Sequence, residues 1–363
     1  MTPLPLHEFH QALSANFTDV NGCAVVGDYG DVLAEYSALR ESAGVLDLSF
    51  RGRLCVTGAD RVRFLNGQVT NNVKDLRPGT GCYAALVTAK GKLQSDLNIY
   101  ALPDELLLDF EPGLAEMVSQ RLEKFVIADD AQIVDASIYY GLLSVQGPKS
   151  ETVVRGLGLL PETPQKPFTF STTKDATLGD IYVMNRPRTG GAGFDLFVPV
   201  GALAAVMDKL VAAAKASGGR ACGWQALEMI RIEAGIPRFG IDMDESNLAP
   251  EALDERAISY SKGCYIGQEV IARIRTYSQA PKVLRGLRLA DDLKQLPVRG
   301  DKLFHDGKEA GYVTSASASP ALQTNIALGY VRKEFNQPGA ELNLQTGDQR
   351  SAAKIVELPF SRG

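Results

Sequence analysis

The chain changes character once, near Pro281, and that change limits its architecture more than any other feature. Before it, residues at helical spacing alternate with short apolar runs. Leu114, Val118, Leu122 and Phe125 share one helical face, and Leu203, Val206, Met207, Leu210 and Val211 share another. Trp224, Leu227, Ile230 and Ala234 do the same ahead of Gly235 and Pro237, which stop the helix. Between them "YAALV", "LLLDF", "LLSVQ", "IYVM" and "FDLFV" read as strands. Interleaved strands and helices point to mixed α/β or α+β domains. After Pro281, "KVLRGLRL", "KLFHDGKEAGYVTSA", "IALGYV" and "SAAKIVEL" are strand-like pieces divided by Gly, Asp and Pro turns, so a small antiparallel β-barrel is expected. The expected domains are residues 1–280 and residues 281–363, with "PETPQKPFTFSTTKDATLGD" a loop-rich interruption inside the first.

A length of 363 residues exceeds one ordinary core and fits two or three domains. No apolar stretch approaches the roughly 18 residues of a spanning helix, and "MTPLPLHEFHQALSANF" lacks a basic region followed by an apolar run. No membrane partner is expected, and the location is read as cytoplasmic, or organellar after processing. Cys23, Cys55, Cys82, Cys222 and Cys264 are odd in number, widely spaced and free of CxxC pairs, which suggests neither a disulfide framework nor a cysteine-built metal site and fits a reducing compartment. A formal net charge of −5 argues against broad nucleic-acid binding. His7 and His10 read as a solvated pair at a flexible N-terminus, so no metal site is expected.

Lys262, Arg273, Arg275, Lys282, Arg285 and Arg288 form a local basic window. It reads either as a solvated helix end and strand edge or as a landing site for an anionic small molecule. Within it lies "SYSKGCYIGQEVIARIRTY". Gly267 followed by "QEVIARIR" marks a helix start, with Glu269 in the first turn and Arg273 and Arg275 in the last, complementing the helix dipole at both ends. Cys264 then stands just outside the positive end, where unpaired N–H groups and Lys262 would favour a thiolate. The alternative is a buried cysteine that only packs.

"KGCYIGQE" resembles the signature of the YgfZ-type folate-binding proteins, iron–sulfur cluster assembly and repair factors in the superfamily of the glycine-cleavage T-protein, an aminomethyltransferase. "EYSALRESAGVLDLSFRGRLCVTGADRVRFLNGQVTNNV", "SVQGP", "GGAGFDLFVP" and "RIEAGIPRFGIDMDESNLAPEA" are similar to further landmarks of the family, in its order. The resemblance implies an α+β, three-domain cloverleaf of two mixed α/β domains, one able to be discontinuous in sequence, and a C-terminal antiparallel barrel. Its implied cofactor is tetrahydrofolate or a one-carbon derivative, lying in a central channel, and its implied partners are iron–sulfur proteins or assembly factors.

The resemblance also implies roles for residues. Asp96 in "GKLQSDL" matches the acid beside the reactive folate nitrogen, with Ser95 replacing a first acid; on its own it reads as a strand-end carboxylate paired with Lys90 or Lys92. Asp195 in "GAGFDL" matches a pterin-binding carboxylate, and otherwise reads as a turn aspartate. Lys262, Tyr265 and Gln268 of the motif, with Arg273 and Arg275 for the glutamate tail, complete the expected folate contacts, and Cys264 with Asp96 forms the expected catalytic pair. "GTGCYAAL", with Tyr83, reads as scaffold. Three positions depart from the transferases: Phe50 stands where they carry a histidine, Leu227 where they carry an arginine, and Leu107 or Leu108 where they carry a tyrosine. These losses lead away from glycine-cleavage activity and toward thiol chemistry at Cys264 in support of iron–sulfur enzymes. The competing readings are a one-carbon transferase working through Asp96 and a non-enzymatic scaffold.

Overall fold

The computed structural model describes residues 3–277 and 280–361. By its internal contacts the chain divides into two compact units, one built of residues 1–84 and 96–230, the other of residues 85–95 and 231–363.

Two mainly antiparallel sheets organise the first unit. The larger has six strands in the order Phe170–Asp175, Gly179–Asn185, Gly193–Pro199, Tyr140–Gln146, Gly44–Asp47 and Arg220–Ala221, the last pair parallel. Its apolar face carries Val45, Leu143, Val145, Val183, Leu196 and Val198, which close on Leu203, Val206, Met207, Leu210 and Val211 of the helix Leu203–Ala216. The helical spacing read from the sequence is thus the stripe that covers this sheet. The smaller sheet runs Thr80–Val87, Leu93–Ala101, Leu106–Phe110, Gly52–Thr57 and Gln132–Asp135. The strand Leu106–Phe110 is buried throughout, as a central strand covered on both faces must be.

Six antiparallel strands of the second unit close into a barrel in the order Lys282–Leu289, Thr324–Arg332, Lys308–Ser319, Lys302–His305, Glu341–Thr346 and Gln349–Val356. Its interior is aliphatic, with Leu287, Leu303, Val313, Val331, Leu344 and Ile355 fully buried, and closure removes the exposed edges that so short a sheet would otherwise present. Arg231 and Asp242, both buried, form an ion pair whose carboxylate also accepts from Thr314 Oγ1 and Ser315 Oγ at 2.6 Å each. That pair fastens the segment before the barrel to its wall. The mixed α/β content and the C-terminal closed barrel agree with the sequence reading. Among the described residues no helix is long and apolar enough to cross a membrane.

The N-terminal segment corrects that reading. His10 is not solvated: it is fully buried in the helix His7–Ala12, its Nε2 2.9 Å from Asp47 Oδ2 and its Nδ1 2.8 Å from the Tyr29 hydroxyl. A buried imidazole needs partners for both nitrogens, and only the folded chain brings Tyr29 and Asp47 to it. His7 instead lies tilted against the ring of Phe17, centroids 4.4 Å apart.

Candidate functional site

Three neighbouring strands of the smaller sheet and the residues at their ends carry polar residues two positions apart: Asp96 and Asn98 in Leu93–Ala101, Asp109 in Leu106–Phe110 with Glu111 just after it, and Arg53 in Gly52–Thr57 with Arg51 just before it. Residues two apart on a strand point to the same face, so each strand contributes a polar couple to one side. The register aligns the couples. Asn98 pairs with Asp109, and Asp109 with Arg53. One polar rung, Asn98–Asp109–Arg53, therefore crosses three strands.

The ion pairs follow this geometry. Arg51 donates through Nε to Asp109 Oδ1 at 2.6 Å and through Nη1 to Glu111 Oε1 at 2.5 Å, with all three side chains almost wholly buried. Asn98 Nδ2 donates to Asp109 Oδ2 at 2.7 Å. From the loop that enters Gly193–Pro199, Arg188 places Nη2 2.7 Å from both Asp109 Oδ2 and Asp195 Oδ2, and its Nε reaches the two oxygens of Asp195 at 2.8 and 3.1 Å. Ser144 Oγ gives Asp195 Oδ1 a further bond of 2.7 Å. Arg186 donates to Asn98 Oδ1 at 3.1 Å and lies over the ring of Phe168, 5.0 Å from its centroid.

Burial alone would push Asp109 upward, but the guanidinium groups of Arg188 and Arg51 more than offset it and hold this carboxyl far below the ordinary carboxylate range. Asp96 goes the other way. Burial first, and then the Glu111 carboxylate, push it from 3.8 up to about 6, although Tyr83 donates its hydroxyl to Asp96 Oδ2 at 2.8 Å. Tyr83 is raised well above its usual value by burial and by that same carboxylate, so it remains a donor at neutral pH.

Of the residues singled out in the sequence, Asp96 and Asp195 lie in the first unit, whereas Lys262, Cys264, Tyr265, Gln268, Arg273 and Arg275 lie in the second. Asp96 is half-buried; Asp195 is fully buried, its oxygens engaged by Arg188 and Ser144. Cys264 is exposed. Lys262 is buried, and its ammonium sits 5.0 Å from the centroid of the Tyr265 ring. The helix Gln268–Tyr277 starts where expected, after Gly267 at φ +83°, where a Cβ would stand 2.5 Å from the carbonyl oxygen of Thr88. Arg273 pairs with Glu269 at 2.8 Å and Arg275 with Glu255 at 3.1 Å, these four exposed, and Arg275 lies over the half-buried Tyr260. Lys92 donates to the carbonyl of Ser246.

Sequence reasoning missed Arg51, Tyr83, Asp109, Glu111 and Arg188. Polar residues at period two inside "FRGRL", "SDLNI" and "LDFEP" were the available signal. Tyr83, read as scaffold, holds Asp96 through its hydroxyl. The positions that depart from the transferases are apolar and packed: Leu108 is fully buried, Leu107 and Leu227 nearly so, and Phe50 meets Trp224 edge-on at 5.5 Å. Among the described residues no group of three or more His, Cys, Asp or Glu side chains is placed to hold a metal ion.

A mixed α/β region with a polar site on its smaller sheet, followed by a closed barrel, has a family. The model of the GCVT N-terminal domain matches residues 6–262 and that of the glycine cleavage T-protein C-terminal barrel domain matches residues 282–361; the chain belongs to this family, whose one-carbon carrier is tetrahydrofolate. It is similar to the aminomethyltransferase of Halalkalibacterium halodurans, 28% identical over 357 residues that cover 98% of this chain and 97% of the relative. The aminomethyltransferase of Symbiobacterium thermophilum is 29% identical over 368 residues (99% and 96% covered), and that of Bacillus subtilis 28% over 363 residues (98% of each). Among solved structures, the glycine cleavage system aminomethyltransferase T from Bartonella henselae shares the fold, with a TM-score of 0.89 at 24% identity over 99% of this chain and 98% of that one.

Proposed function

We propose that this chain binds a reduced folate and moves a one-carbon unit to or from it, with Asp96 at the reacting nitrogen. The observation that carries this reading is the state of Asp96: a half-buried carboxyl held by Tyr83 and poised near 6 can give or take a proton close to neutral pH. The residues fit a pterin in part. A carboxyl can meet its N–H groups as an acceptor and its ring nitrogen as a donor, which suits Asp96. Asp195 spends its oxygens on Arg188 and Ser144, so we assign it a contribution through Arg188. The folate, when bound, supplies the carriage of the one-carbon unit on nitrogen; Tyr83 and Asp96 orient it and hold a proton there. The apolar Phe50, Leu227, Leu107 and Leu108 favour a donor other than a lipoyl-bound aminomethyl group, because the polar groups that the resemblance places there are absent.

Calorimetric titration of 5-formyltetrahydrofolate into the wild type, Asp96→Asn and Cys264→Ser tests it. The wild type and Cys264→Ser should bind alike, and Asp96→Asn about tenfold more weakly, roughly 1.4 kcal/mol. A wild type that binds no reduced folate would sink the reading.

A second reading has its own observation. Cys264, inside the YgfZ-like "KGCYIGQE", is exposed and so open to thiol chemistry in support of iron–sulfur enzymes. It predicts that Cys264→Ser keeps folate binding and loses the rescue of iron–sulfur enzyme activity in a deletion strain. Unchanged rescue would remove it.

A further inference from the structure

Four arginines belong to the polar site described above, and they differ in what compensates them. Arg51 and Arg188 are committed to Asp109, Glu111 and Asp195. Arg53 is 1% exposed and spends Nη1 and Nη2 on the carbonyl oxygens of Arg51 and Ser49, so nothing from outside reaches it. Arg186 is partly exposed, and among the described residues no carboxylate lies within ion-pair distance of it. Its Nε donates to Asn98 Oδ1 and its Nη1 to the carbonyl of Pro187, each at 3.1 Å. Of its five N–H donors three remain, one on Nη1 and both on Nη2, and that end of a guanidinium grips a carboxylate with two parallel bonds.

The guanidinium is held in place. Asn98 gives Nδ2 to Asp109 Oδ2 at 2.7 Å, an oxygen that only accepts, so its Oδ1 is the atom turned to Arg186. The Arg186 backbone is tied on both sides, its N–H donating to Gly193 O at 2.9 Å and its carbonyl accepting from Gln146 Nε2 at 3.0 Å. Phe168, whose ring centroid lies 5.0 Å from the guanidinium, takes φ +60°, a conformation that strains a bulky residue. The charge held there is poorly offset. Burial, and then the like charge of Arg188, pull Arg186 below the ordinary arginine range, and the carboxylates of Asp195 and Asp109, which do not pair with it, fail to restore it. The same charge acts on Tyr83, the phenol that holds Asp96.

We propose that Arg186 receives the carboxylate of the one-carbon donor, and that the donor is therefore a short amino acid carrying its one-carbon group on nitrogen. The inference rests on the folate reading of this site and names the class of donor. Asp96 and Asn98 point to the same face of the strand Leu93–Ala101, about 6.6 Å apart. A molecule that meets both Asp96 and the guanidinium held by Asn98 is accordingly small, and an α-amino acid has a single carbon between its nitrogen and its carboxylate. The glutamate of a folate lies beyond its aminobenzoyl group, away from the reacting nitrogen, so a carboxylate beside Asp96 belongs to the donor. An amine without a carboxylate would leave Arg186 uncompensated, which sets the selectivity.

The test compares the binding of N-methylglycine, the smallest probe of the class, with that of N-methylglycinamide, which lacks the carboxylate, followed by the NMR signal of the N-methyl group in the presence of the full chain. The wild type should bind the acid about tenfold more tightly than the amide, and Arg186→Met should lose that preference. Arg186→Lys, which keeps the charge without the two-pronged end, should keep part of it and guards against a Met variant that fails to fold. No preference for the acid in the wild type, or the full preference retained in folded Arg186→Met, would overturn the proposal. So would an equal, roughly tenfold loss of 5-formyltetrahydrofolate affinity in Arg186→Met, which would give the guanidinium to the glutamate of the folate itself. The comparison is made on the ligand-free protein and repeated with 5-formyltetrahydrofolate, so a wild type that binds no folate would defeat the functional reading while the preference for acid over amide still decides the role of Arg186.

Discussion

Asp96 and Asp109 sit on adjacent strands in opposite electrical situations, and stability should report the difference. Asp96 is raised from 3.8 to about 6, so the folded state binds more protons than the unfolded one between those values. Its contribution is present at low pH and is lost as pH rises through about 6. Asp96→Asn should therefore be more stable than the wild type at pH 7.5 by about 1–3 kcal/mol and no more stable near pH 4, measured by urea unfolding at both values. Equal stability at pH 7.5 would show that Asp96 is not held against its solution preference. A site that costs stability in order to keep a carboxyl protonatable is a common mark of function.

Among the elements, Arg188 is the link with most at stake. It is the one side chain that ties Asp195 of the six-stranded sheet directly to Asp109 of the five-stranded sheet among the ion pairs described above. Arg188→Met leaves two buried carboxylates short of a partner and should cost about 3–5 kcal/mol. Adding Asp195→Asn should return part of that loss, so a double-mutant cycle by denaturant unfolding would give a coupling well above zero. Strict additivity would mean that the two residues act independently. At the other helix start, Gly267→Ala places a Cβ at positive φ against the Thr88 carbonyl and should lower stability by about 1–3 kcal/mol, seen as a fall in Tm.

At the scale of the whole chain, the two units differ in what acid can attack. The first holds its strands together partly with Asp109, whose depressed carboxyl stabilises at neutral pH and stops doing so as pH falls below the ordinary carboxylate range. Among the described residues the cluster inside the barrel is aliphatic, and the buried Arg231–Asp242 pair sits on its wall rather than within it. Hydrogen exchange near pH 3 should accordingly show amides of Leu106–Phe110 and Gly193–Pro199 opening before those of Thr324–Arg332. Simultaneous opening would mean that the buried ions do not decide acid stability. At neutral pH, a saturating reduced folate at 100 times its Kd should add about 2.7 kcal/mol to the stability of the folded chain, read as a rise in Tm over the ligand-free protein.

The sequence by itself determined the type of most elements and the change to a barrel after Pro281, because helical period, strand alternation and turn residues are properties of neighbouring positions. It also determined Asp96 as a residue to watch and Gly267 as a helix start, through short motifs. What surrounds Asp96 was decided only by the tertiary structure. Tyr83 comes from a different strand, Arg51 and Glu111 pair from the ends of two more, and such meetings depend on a register that no local stretch encodes. That register is set by which alternating faces of three strands bury their leucines and valines together, since a slip of one residue would turn every polar couple to the opposite face. The same applies to His10, whose partners Asp47 and Tyr29 are remote until the chain folds. Polar residues in apolar strands announce that something must satisfy them, and only packing says what does.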